Sequence, residues 1–550
     1  MSTPPPAPPW PHCAHGAHLT DPVGCRGIHV PGHTACLAHL TETDRDTYLA
    51  GLAPGADIDH RGTPFTENLL TRLLDAVRDP TTTDPHLGTA RFDGARFSGD
   101  ARFNGARFSG DARFGDAQFS GDAWFGRARF SGDARFGAVR FSGDAWFGRA
   151  QFSGNARFGG ARFSGNAWFD GAQFLVTSWW GPVVCGGRVD LSGAVFGAPV
   201  TLEVAARQVR CTRTRWQSTA TVRVRHASVD LGHAVLEAPL AVTAHPTPFT
   251  NVAGTILDES MLSRSRAVRV VSVQGVDAAH LVLTDTYLSD CLFSGAFHLD
   301  QLRLEGRITL ASTPTGWHRK GIAPVRWTRR RTLAEEHHWR AQTAGQPPAT
   351  AGPRRWRTGP HHPDPAQTPD PDDVAALYRQ LRKAFEDGKN EPGAADFYYG
   401  ECEMRRHDRT GTPKAERRLL WAYWLLSGYG LRAGRALGWL TAAMLATIVL
   451  LMAFGLPMSS PKQEATGTVP AGGGTVTFVI DKQDPKNPTG DRFTSNRFDK
   501  ALNVTLNSVV FRSSGQDLTT TGTYIEMTSR ILEPALLALA VLAVRGRIKR

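Results

Sequence analysis

Phenylalanine recurs through one stretch of this chain at positions 92, 97, 103, 108, 114, 119, 125, 130, 136, 141, 147, 152, 158, 163, 169 and 174, in steps alternating between five and six. Alanine stands two places before nearly every one of them, as in Ala90, Ala95, Ala101 and Ala106, with Val139 the exception. A fixed short period of this kind marks a solenoid, in which each unit buries its apolar face only against its neighbours. An eleven-residue helical repeat would share the period. Glycine in almost every unit argues against it, because each costs ~1 kcal/mol inside a helix. A five-residue step would also scatter successive phenylalanines over separate helical stripes.

The unit itself is Ala-x-Phe-x-Gly, as in Ala95-Arg96-Phe97-Ser98-Gly99, and every second unit adds Asp100, Asp111, Asp122, Asp133, Asp144, Asn155 or Asn166. This pattern resembles the pentapeptide-repeat family. The resemblance implies a mainly β fold, a right-handed quadrilateral β-helix with the large and small apolar residues inward and four units to a coil. Residues just before each Phe would then point outward and form columns at a twenty-two-residue step: Arg102, Trp124, Trp146, Trp168 and Arg91, Arg113, Arg135, Arg157. At a strand spacing of ~4.8 Å these side chains become ladders. Trp124, Trp146 and Trp168 form a candidate docking stripe. The four arginines form a candidate anion-binding column, because stacked like charges repel unless neutralised; corner Asp and Asn residues would offset part of that repulsion. The stretch from Ala90 to Phe174 holds twelve Arg against eight Asp, which does not fit an imitation of acidic DNA.

The ends of such a stack need covering. Residues 1–87 carry Cys13, His15, His18, Cys25, His29, His33, Cys36 and His39. Cys36-x-x-His39 has knuckle-like spacing, with Cys13 and His15 or His18 as further donors. The preferred set is Cys13, Cys25, Cys36 and His39, holding a structural zinc; the competing reading is a free-thiol loop with surface histidines. Residues 66–77 read as an amphipathic helix suited to plug the solenoid end. Beyond the regular repeat, residues 176–315 read as an irregular continuation, with a degenerate step at Leu283, Leu288, Phe293, Leu299 and Leu304.

The formal net charge is +12, and the seven cysteines are scattered, which favours a reducing compartment. The N-terminus shows no basic segment followed by an apolar run of the secretory kind. Residues 316–372 form a basic, Trp-rich and then Pro-rich linker, in which Arg326-Trp327 and Arg354-Arg355-Trp356-Arg357 suit lipid headgroups better than nucleic acid. Residues 342–372 within it read as a disordered tether. Before the tether, Glu335, Glu336, His337 and His338 are expected on a solvated helix face. Residues 373–431 read as three helices, and their aromatic segments resemble the juxtamembrane part of bacterial membrane-associated pentapeptide-repeat proteins.

Residues 432–550 carry the membrane signal: an uncharged run from Leu437 to Leu456, and a second apolar segment near 528–546. Arginines before the first and after the second predict both termini in the cytoplasm, at a cell membrane. Between them, a short apolar helix over Ala501–Phe511 and the run Thr521-Gly522-Thr523-Tyr524 resemble the two-span pore module of cation channels, with the second filter glycine missing. No dinucleotide, phosphate-loop, paired-cysteine or haem motif is present, so no enzyme is expected. The sequence therefore predicts a non-enzymatic, membrane-anchored β-helix scaffold that binds a protein or anionic partner and touches membrane lipids. The alternative is a channel-like protein with the β-helix as its cytosolic domain.

Overall fold

In the structure, a computed structural model, the described residues are 7–262, 267–314, 317–320, 323–326, 329–343, 362, 364–458, 463–467, 471–476, 478–482 and 484–548. Trp327 and the cluster Arg354, Arg355, Trp356 and Arg357 lie outside them, as does most of the expected tether. The chain forms two compact units, Met1–Phe397 and Tyr398–Arg550.

The first unit is a parallel β-solenoid. Two-residue strands pair in register with the strand one coil on, in four columns: Ala90 with Ala112, Ala134 and Ala156; Arg96 with Gln118, Arg140 and Arg162; Ala101 with Ala123, Ala145 and Ala167; Arg107 with Arg129, Gln151 and Gln173. The coil is thus four-sided, with the expected step of 22 residues. Every Phe of the period is buried. Rings one coil apart lie nearly parallel, as in Phe103–Phe125 at 4.9 Å and 4°, and neighbouring columns meet edge to face, as in Phe103–Phe114 at 5.5 Å and 82°. Both geometries are favourable for aromatic quadrupoles and add to the burial term.

The corners are of two kinds. At one, the backbone turns through a left-handed residue every half-coil: Gly94, Gly105, Asp116, Arg127, Ala138, Arg149, Gly160 and Gly171. At the other, Ser-Gly-Asp/Asn, the carboxylate accepts the backbone amide one coil up: Asp100 from Asp122 at 3.1 Å, Asp122 from Asp144 at 2.9 Å, Asp144 from Asn166 at 2.7 Å. The acidic residue that recurs every eleven positions is thus a coil-to-coil staple. Beyond Phe174 the inner column continues as Phe196, Trp216 and Leu236, and from Phe196 onward the coil shortens to 20 residues. Leu283, Leu288, Phe293 and Leu299 of the degenerate step are buried.

Both ends are covered. The lower end begins with Ala56–Asp59, which pairs with His86–Arg91, and Pro64–Phe65, which pairs with Arg96–Phe97. Helix α1 (Glu42–Ala50) precedes these strands, and α2 (Glu67–Ala76) follows them. The α2 helix buries Leu69, Leu70, Leu73 and Leu74, as expected of a plug; the side chain of Thr66 caps its start.

The upper cover corrects the sequence reading. Helix α3 (Ala334–Thr343) does not present Glu335–His338 to solvent; Glu335, Glu336 and His338 are buried. Glu335 accepts the amides of Phe293 and Ser294, donors that a further coil would otherwise satisfy. Glu336 takes both oxygens to Arg330 at 2.6 Å, and also binds Arg340 and the hydroxyl of Tyr378. Burial alone would raise its pKa; the two guanidinium groups outweigh it and hold Glu336 well below the usual carboxylate range. Tyr378 comes from α4 (Pro371–Asp387), whose Lys383 pairs with Asp300 of the solenoid at 2.7 Å. The basic segment around Arg330 is thus built into the cap, not a free linker.

Helix α5 (Glu391–His407) contains the boundary between the units. The second unit continues with α6 (Lys414–Ser427), α7 (Ala433–Leu450) extended by a π-helical turn over Leu451–Gly455, α8 (Ser495–Val509) and α9 (Thr520–Ile548). Two stretches, Ala433–Gly455 and Thr520–Arg545, are long and apolar enough to cross a membrane. They pack together around Ile448, Leu451, Met452 and Leu456, with Ala501 and Val504 of α8 completing the cluster.

Candidate metal centre

The Cys- and His-rich segment folds without much apolar core. Its two arms run antiparallel, tied by Cys13 N–H to the Gly27 carbonyl at 2.8 Å, Ala14 N–H to Cys25 at 2.9 Å and Cys25 N–H to His15 at 2.9 Å. A tight turn follows, in which His39 and Leu40 donate to the Cys36 carbonyl at 2.9 and 3.1 Å. These two features carry Cys13, Cys25, Cys36 and His39 to one point. Their donor atoms all lie within 4.8 Å of one another.

Three of the donor–donor distances match the edges of a tetrahedral shell. Cys25 Sγ and Cys36 Sγ stand 3.7 Å apart, and His39 Nδ1 stands 3.3 Å from Cys36 Sγ and 3.4 Å from Cys13 Sγ. Metal–ligand lengths of about 2.3 Å for sulfur and 2.0 Å for nitrogen give tetrahedral edges of about 3.8 and 3.5 Å. Gly27 leaves room for this arrangement: a Cβ there would fall 2.6 Å from Cys36 Cβ and 2.8 Å from its sulfur. The Gly27 amide points at Cys25 Sγ at 3.4 Å. His15 is not a donor; its ring stacks on His39 at 4.1 Å. His18 is engaged with Thr20 at 3.0 Å. Between the donors left open by spacing, the fold selects Cys13 and Cys25.

Cys25 and Cys36 share a proton in the absence of a metal. The hydrogen bond from Cys36 holds the Cys25 thiol down at about 5, and that same contact, with burial, pushes Cys36 far up. Such neighbouring thiols cannot all ionise without a positive charge among them. This Cys3His cluster could hold a metal ion. With four protein donors the shell is closed, which suits a structural centre and leaves no open position for chemistry.

The outward columns are where the period places them. Trp124, Trp146 and Trp168 stack at 5.1 and 5.0 Å, tilted by 4° and 8°, and are partly buried. Arg188 lies over the last ring at 5.8 Å, and its indole N–H donates to Asp144 at 3.1 Å. The arginine column is matched by carboxylates from the adjoining corner: Arg91 by Asp59, Arg113 by Asp111, Arg135 by Asp111 and Asp133, Arg157 by Asp133, at 3.5–3.8 Å. The expected charge ladder is therefore largely neutralised from within.

The pore-like residues fall within a helix. Thr521, Gly522 and Tyr524 lie in the first turns of α9, where their carbonyls serve the helix and are not free to line a filter. Gly522 is needed for packing: a Cβ there would fall 2.2 Å from the Gly455 carbonyl oxygen. Thr519 closes this crossing by donating from its amide to Gly455 at 3.0 Å and from its hydroxyl to Phe454 at 2.8 Å.

A four-sided parallel solenoid wound from five-residue units, sealed at one end by a Cys- and His-rich module, is the class of protein these observations define. The family model for pentapeptide repeats (9 copies) matches residues 92–140 and 138–181, the regular part of the solenoid. No curated protein and no solved structure matches the chain.

Proposed function

We propose that this protein is a non-enzymatic scaffold that holds a rigid β-solenoid at a membrane and offers its side walls to a protein partner. The observation that carries this reading is the covering of both solenoid ends, by α2 below and by Glu335 and α4 above. With the ends covered, the lateral ladders are the faces of the repeat left for contact. The neutralised arginine column argues for a protein partner over a polyanion, and the stacked Trp124, Trp146 and Trp168 are the residues of choice for it. The two apolar helices supply the anchor. Arg432 and Arg435 at the start of α7 and Arg545 near the end of α9 favour placing both termini on the cytoplasmic side. Zinc is the metal that best suits three thiolates and an imidazole.

The test uses the full chain in its native membranes. Retention after alkaline extraction, with in-membrane crosslinks from the solenoid to a partner that are lost when the three tryptophans become alanine, is the expected outcome. Extraction of the chain from the membrane would overturn the anchor. Crosslinks unchanged in the triple variant would overturn the tryptophan wall. Protease cleavage of the repeats from the outer face of sealed, right-side-out vesicles would reverse the topology.

A further inference from the structure

We propose that a basic cleft between the end of α5 and the first turns of α6 binds the headgroup of an anionic phospholipid. It is an open cleft of about 400 Å³ lined by Arg406, His407, Lys414, Arg417, Arg418 and Trp421. No carboxylate is among the lining residues. The inference rests on the membrane reading above and adds a ligand class to it.

The cleft is held in shape. Asp408 accepts the amides of Thr410 and Gly411 at 2.9 and 3.0 Å and the hydroxyl of Thr412 at 2.8 Å, which fixes the turn joining the two helices. Arg406 is pinned by Glu403 at 2.7 Å and lies over Trp424 at 4.6 Å. His407 meets the Glu403 carbonyl at 2.8 Å, and the charge beyond these two is left over. Lys414 and Arg418 are exposed and have no carboxylate partner among the described residues, and Arg417 gives one N–H to the Asp408 carbonyl at 3.3 Å. Pro413 at the cap position of α6 offers no side-chain acceptor to the first-turn amides, so the positive end of that helix faces the same corner. Phosphate oxygens are the ligand that such a set of donors recognises.

The lipid, as opposed to a soluble phosphate, is indicated by what surrounds the cleft. Leu419 and Trp421 on α6 are 70% and 52% exposed, an apolar edge directly beside the cations. Aromatic and basic residues so interleaved suit the water–lipid interface. The helix is also fixed to the base of the first apolar span: Arg435 donates to the Trp424 carbonyl at 2.7 Å and Trp439 to the Leu425 carbonyl at 3.1 Å. Arg406 of the cleft and Arg435 of α7 both lie over Trp424, at 4.6 and 5.0 Å, which ties the cleft wall to the base of that span.

The experiment reconstitutes the full chain into vesicles of phosphatidylcholine with phosphatidylglycerol and measures which lipid stays bound by native mass spectrometry. The wild type should retain phosphatidylglycerol preferentially, and Lys414→Gln/Arg418→Gln should weaken that preference ~10-fold or more. Arg409→Gln, an exposed neighbour outside the cleft lining, should leave it intact. An equal loss in Arg409→Gln, or no loss in the double variant at unchanged melting temperature, would overturn the cleft. Displacement of the lipid by inorganic phosphate, or tighter retention of a single-stranded oligonucleotide, would overturn the lipid assignment. Failure of the chain to insert at all, read by alkaline extraction of the same vesicles, would instead refute the membrane reading on which the cleft depends.

Discussion

The carboxylate of Glu335 accepts the backbone amide of Ser294 at 3.1 Å, so that a helix side chain takes the place of the next strand. Phe293 donates to the same oxygen. A solenoid edge left open invites another chain to pair with it, and here one side chain satisfies two of its donors.

Burial pushes the pKa of Glu335 up to about 7 from 4.5, against the opposing pull of those amides. The folded state then holds a proton that the unfolded state has lost, so this group's contribution to stability is greatest below 4.5 and declines as pH rises toward 7. Glu335→Gln should flatten that slope while keeping the acceptor. Glu335→Ala should cost ~1–3 kcal/mol, because two buried donors lose their partner. Chemical denaturation followed against pH, with the difference between wild type and Glu335→Gln taken at each point, isolates the effect from buried His60 and half-buried His337. Those two, depressed to about 4 by burial, act with the opposite sign as pH falls below 6.5.

The full chain, purified without chelator, should contain one zinc per molecule by elemental analysis. Cys36→Ser should lose the metal and lower the melting temperature of the solenoid unit, since a module with little core depends on its staple. A metal-free wild type with the same thermal stability would count against the centre.

Gly132 and Ala138 should respond in opposite directions. A Cβ at Gly132 would stand 2.7 Å from the backbone of Gly110 one coil below, so Gly132→Ala should destabilise by ~1–3 kcal/mol. Ala138 holds φ at +53°, so Ala138→Gly should relieve ~1 kcal/mol of left-handed strain. Guanidinium unfolding of both variants measures the pair.

Gly522→Val should destabilise the packing of α7 on α9, because the new side chain meets the Gly455 carbonyl. Thermal unfolding in detergent should show the loss. Measurable ion flux in wild-type liposomes that Gly522→Val abolishes without any loss of stability would instead favour a conducting pore.

The repeat was legible because its inward residues recur at a fixed interval and each contact joins residues one coil apart. The Cys3His cluster was legible by residue type, but the choice among Cys25, His15 and His18 required the antiparallel pairing of the two arms. The upper cap was not legible. Glu336 meets Tyr378 across 42 residues, and nothing local distinguishes a helix that docks on a solenoid from one that faces water. Thr521-Gly522-Thr523-Tyr524 matches a filter only as a short run, and its helical state depends on the whole of α9. The basic cleft escaped because its residues come from two helices and matter only once the Asp408 turn folds them together.

The corner carboxylates bind each coil to the one above by the same bond, and the strand register repeats unchanged from coil to coil. A gene that lost or gained the codons for one full circuit, such as residues 112–133, would still bring both terminal covers onto matching partners. The rod would shorten or lengthen by about 4.8 Å. Its height is therefore a dimension that descent can adjust in whole increments, as a spacer is cut to a required gap.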